Sequence, residues 1–176
     1  MNEAGIHLLL RVTARTTFVV FFFAFTGNAL RDLWPGVLSS WLARKRDWFL
    51  VAMAVSHSVH LAAIIMLEQA IGWPRFYDHF RVAGIGLGGL VFVFIYVLAL
   101  RALLRLRRSE EARPHIPSKL EGVYLYAVWF VFAAGFVPRM ASGWPVYWLF
   151  GAAILAALII RIACRMRHRR AMASAA

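Results

Sequence analysis

The chain has 176 residues, of which 62% are hydrophobic, 16% charged and 15% aromatic, against roughly 45–50% apolar and about 25% charged in an average soluble domain. These values exclude disorder and collagen-like repeats and argue against a soluble globular domain, while a single cysteine, Cys164, allows neither an internal disulfide nor a thiolate metal cluster. The formal charge is +12; the basic residues lie between long apolar runs, so topology and lipid headgroups account for them and no nucleic-acid partner is expected.

Residues 1–10 carry Glu3 and lack a basic n-region and a small-residue cleavage site. The first apolar run is therefore expected to stay as a membrane helix. A helix crossing a ~30 Å hydrocarbon core needs about 20 mostly apolar residues. Five segments meet that length, at about 12–30, 48–67, 82–104, 120–138 and 143–163, followed by a basic tail over 164–176. The runs are apolar on all sides, whereas a membrane strand alternates every second residue. The expected fold is all-α: a polytopic bundle of five transmembrane helices, with 1–176 forming one transmembrane domain.

The second segment holds His57 and His60. Counted from Asp47 at 1.5 Å per residue, they lie roughly 15 and 20 Å deep. Ionisable residues at such depth are rare and are usually functional. Spacing i,i+3 puts both on one helix face. They read equally as metal ligands, haem iron included, and as interhelical hydrogen-bond partners helped by Ser56 and Ser58. Two histidines on one turn cannot grip both faces of a haem, and no other segment contains a histidine. Met53, Met66 and Met140 are the available thioethers, although methionine in apolar helices usually serves packing.

The third segment opens with Gly84, Gly86 and Gly89, a G-x-G-x-x-G string. A dinucleotide fingerprint needs a preceding strand and an open helix N-terminus, and this string lies inside an apolar span. Gly84 and Gly88 instead form a small-residue face on which another helix can pack. Glu121 opens the fourth segment within reach of Arg113 or Lys119. The chain shows no Ser-His-Asp set, metalloprotease motif, P-loop or zinc spacing.

Charge sets the orientation. Fifteen Lys and Arg fall in loop one, loop three and the tail, against five on the opposite side. The positive-inside rule then predicts N-out, C-in, in a bacterial inner membrane. Trp34, Trp41, Trp48, Trp73, Trp144 and Trp148 lie at segment ends, where an aromatic belt belongs.

Thr13-Ala14-Arg15-Thr16-Thr17, opening a span that closes on Ala29-Leu30-Arg31, resembles the T-G-R-T-A opening of the first core helix in the ferric reductase-like transmembrane domain superfamily. Within it the chain is most similar to the haem-binding membrane subunit of the methionine sulfoxide reductase system. Arg46-Asp47 followed by His60-Leu61 is similar to that branch's next helix; Arg75-Phe76-Tyr77 and Leu158-Ile159-Ile160-Arg161 fit later positions. The resemblance implies a membrane bundle that passes electrons through b-type haem, with His60 as iron ligand and His57 second. Glu121 and Ala134 stand where the family's fourth helix has its histidines, so the implied haem count is one at most. The alternative is a haem-free accessory subunit that packs into a larger membrane complex through Gly84 and Gly88. Partners are then the lipid bilayer and other membrane subunits. Electron transfer through haem needs no protein nucleophile, so enzymatic status is left open.

Overall fold

The computed structural model describes residues 2–108 and 118–174, and the side-chain surroundings of these except at 79–85. His79, Gly84, Arg113 and His115 accordingly lie outside the described surroundings. The described residues form helices and no strand. In order they are α1 (Glu3–Leu33), α2 (Val37–Arg44), α3 (Arg46–Ile71), α4 (Trp73–Arg107), α5 (Lys119–Phe136), a 3-10 turn (Pro138–Ser142) and α6 (Pro145–Ala173). Five segments, four of them led by α1, α3, α5 and α6 and the fifth being Gly86–Arg107 of α4, are long and apolar enough to cross a membrane. In hydrocarbon a helix is the one open segment that satisfies its own backbone, which is why apolar runs of this length become helices. The chain is thus built as a multi-pass membrane protein.

Several boundaries move outward from the apolar runs. Helix α1 starts nearer the N-terminus than residue 12, because the Asn2 side chain accepts from the Gly5 N–H at 3.0 Å and caps it. Helix α4 starts at Trp73, where residues up to 81 read as loop. Gly72, at φ +76°, ends α3 in a conformation that favours glycine, and Pro74 in the first turn starts α4 at once. Helix α6 runs on into the basic tail, since arginine is a good helix former and Arg167 donates to the carbonyls of Asp32 and Leu33 at 2.9 and 3.1 Å.

Successive long helices run antiparallel. They close a ring in which α1 touches α3 and α6, α4 lies against α3 and α5, and α5 meets α6. Phe18 stands inside the ring, edge-on to Phe132, Phe136 and Phe150 at centroid distances of 5.3–5.5 Å. Phe21, Leu50, Met53, Ile95, Leu98, Leu125 and Ile154 complete a filled core. The outer faces stay apolar, as lipid contact requires, and all six belt tryptophans are exposed.

Two close approaches were not expected. Short α2 lies on α1 at Gly27, where a methyl would sit 3.2 Å from the Leu42 carbonyl oxygen. Helix α2 buries Leu42 and Ala43 there and exposes Val37, Leu38 and Trp41, as an interfacial helix does. Gly151 of α6 receives Met140, whose Cγ lies 2.6 Å from the place of a Cβ. At Gly88, by contrast, a methyl meets nothing within 4 Å. The small-residue face is not used at Gly88 to pack helices within this chain.

Candidate functional site

His60 sits in a polar seam between α1 and α3, and His57, one turn away on α3, faces α4. Thr13 and Thr17 are four apart on α1, and Ser56 and His60 four apart on α3, so the two pairs meet across one interface. Thr17 Oγ1 lies 2.8 Å from Ser56 Oγ, and Thr13 Oγ1 2.8 Å from His60 Nδ1. The Thr13 hydroxyl also reaches the Leu9 carbonyl at 2.8 Å and the Leu10 carbonyl at 3.2 Å. Thr13 thus bridges the α1 backbone and Nδ1 of the His60 ring, with the tautomer set by which of the two groups donates. A hydrogen bond of this kind on one ring nitrogen is what orients a metal-binding imidazole.

His57 is buried, stacks on Phe92 with centroids 4.1 Å apart, and lies 5.4 Å from the near-parallel ring of His60. Its buried Nδ1 has no hydrogen-bond partner among the described residues. Ser58, one residue on, meets the Tyr96 hydroxyl of α4 at 2.9 Å. Both imidazoles thus project from one turn, as i,i+3 spacing requires. Met53 is fully buried in the core, Met66 is 38% exposed, and Met140 is engaged at Gly151. Ala134, where the family resemblance expects an imidazole, is exposed.

Glu121, the other such position, belongs to an ionic cluster at the basic end. It is 1% exposed and pairs with Arg105 of α4 at 2.6 Å, not with Lys119. Arg105 also forks onto Asp47 of α3, with both hydrogen bonds at 2.8 Å. Arg46 is 2% exposed, 3.7 Å from Asp47, and its terminal nitrogens have no hydrogen-bond partner among the described residues. One arginine thereby ties the ends of α3, α4 and α5 together. Nothing in the spacing of residues 47, 105 and 121 announces that pairing.

Among the described residues, two open cavities flank the bundle. The one of about 740 Å³ lies between α1, α5 and α6 and is lined by His7, Arg11, Arg15, Arg139 and Tyr147 among others. The one of about 850 Å³ lies at the basic end. Neither is lined by His57 or His60. Asp32, Cys164 and His168 border the second and could share one ion by distance alone, their ligand atoms lying within 4.8 Å of one another. Comparison with family models, with curated proteins and with solved structures gave no match.

Proposed function

We propose that the chain is a membrane redox subunit of ferric reductase-like type, oriented N-out and C-in in a bacterial inner membrane and holding at most one b-type haem. The observation that carries this reading is the Thr13–His60 contact at 2.8 Å, which ties Nδ1 of an α3 imidazole to α1; Nε2 would then be the ring atom turned to the iron. Thr13 belongs to the Thr13–Thr17 stretch that carries the family resemblance, so one motif supplies the residue that positions the other. His60 would hold the iron, Thr13 would fix its ring, and His57 would offer a polar edge beside it. A bound haem b would supply one-electron transfer at that depth.

The test is the visible spectrum of the chain purified in mild detergent after expression with ample haem. A Soret band with dithionite-sensitive α and β bands is expected. His60→Ala should abolish it or reduce it strongly, and His57→Ala should be milder, with folded protein measured in parallel. A normal spectrum in folded His60→Ala would refute the assignment of that residue.

The second reading, a haem-free accessory subunit, is favoured by the filled ring and by Glu121 and Ala134. Glu121 is tied to Arg105, and Ala134 is exposed. A colourless wild type under the same expression would decide for it.

A further inference from the structure

The cavity at the basic end is lined by four cations and one carboxylate. Arg161, Arg165 and Arg169 line it at i, i+4 and i+8 of α6, Lys119 stands on the first turn of α5, and Asp32 closes α1. Like charges four apart on one helix face repel, so such a row is stabilised by an anion between it and the neighbouring helix. Arg161 is fixed in place. It donates to the Phe25 carbonyl at 2.8 Å and to the Tyr126 hydroxyl at 3.3 Å, and its guanidinium lies 4.5 Å from the Phe25 ring centroid. It has no carboxylate within ion-pairing distance among the described residues. Lys119, Arg165 and Arg169 make no ion pair or hydrogen bond there either.

We infer that this cavity binds the phosphate headgroup of an anionic phospholipid. The charge balance selects an anion over a metal ion at Asp32, Cys164 and His168. The choice of a lipid follows from placement: the cavity lies at the end of helices built to cross a membrane, and it is bordered by exposed Val123 and Met172, on which acyl chains can lie. Gly122 lines it, and a methyl there would meet nothing within 4 Å, so the wall at this point is open space. This inference needs the membrane reading of the chain and not the haem.

The experiment is native mass spectrometry of the full chain released from mixed micelles of phosphatidylglycerol and phosphatidylcholine, with thermal midpoints measured in the same lipids. Phosphatidylglycerol should be retained over phosphatidylcholine by about tenfold or more, the scale set by a few basic residues at a membrane surface. Lys119→Gln/Arg165→Gln/Arg169→Gln should remove that preference. A control that loses as many charges outside the cavity, Arg107→Gln/Arg108→Gln/Arg170→Gln, should keep it. Gly122→Trp, which projects a large side chain into the cavity and leaves every charge in place, should lower retention. Equal loss in the control would overturn the proposal as general surface electrostatics. Displacement of the lipid by millimolar inorganic phosphate would overturn the lipid assignment. Zinc binding that is lost in Cys164→Ser, in place of lipid retention, would overturn the anion site.

Discussion

Arg105→Leu is the sharpest perturbation of the bundle that the structure suggests. Arg105 donates three charge-assisted hydrogen bonds, two to Asp47 and one to Glu121. Its loss leaves Glu121, 1% exposed, without that partner. Breaking a buried pair by removing one member costs about 3–5 kcal/mol. Glu121→Leu alone should be milder, about 1–3 kcal/mol, because the fork onto Asp47 survives. Arg105→Leu/Glu121→Leu should then be more stable than Arg105→Leu, with a coupling of up to about 3 kcal/mol. Unfolding by SDS titration in mixed micelles, followed by tryptophan fluorescence, measures all three. A cost below about 1 kcal/mol for Arg105→Leu, the range of exposed ion pairs, would refute the reasoning. So would strict additivity.

Two further expectations concern packing and topology. Gly27→Leu should drive α2 from α1 and cost about 1–3 kcal/mol, as overpacking does, whereas Gly88→Ala should leave the isolated chain unchanged; the same SDS titration reads both, and equal effects would mean that the α1–α2 approach is not tight. Reporter fusions after Ala176 and within 105–119 should both report the cytoplasmic side, and a periplasmic signal at either point would overturn the N-out, C-in orientation drawn from basic-residue asymmetry.

Much of the architecture was legible in the residues alone. Five apolar runs of the right length become five helices because backbone groups in hydrocarbon must be satisfied within their own segment. Tryptophans at run ends are exposed at helix ends for the same local reason. The pairing of His57 and His60 on one face follows from helix periodicity. What the sequence left open concerns neighbours. Which side chain meets His60 depended on which helix lay against α3; α1 does, and it presents Thr13, 47 residues away in the chain. Glu121 had Lys119 nearby in sequence, yet it pairs with Arg105 because α4 and α5 meet at their basic ends. Gly88 lies in the better motif for close packing, yet a methyl there meets nothing within 4 Å, whereas a tight approach occurs at Gly27, whose significance rests on where α2 docks. Helix formation is a local matter of hydropathy and backbone satisfaction, and the sequence settled it. Helix-to-helix register is a joint property of two surfaces far apart in the chain, and it was decided by the tertiary structure.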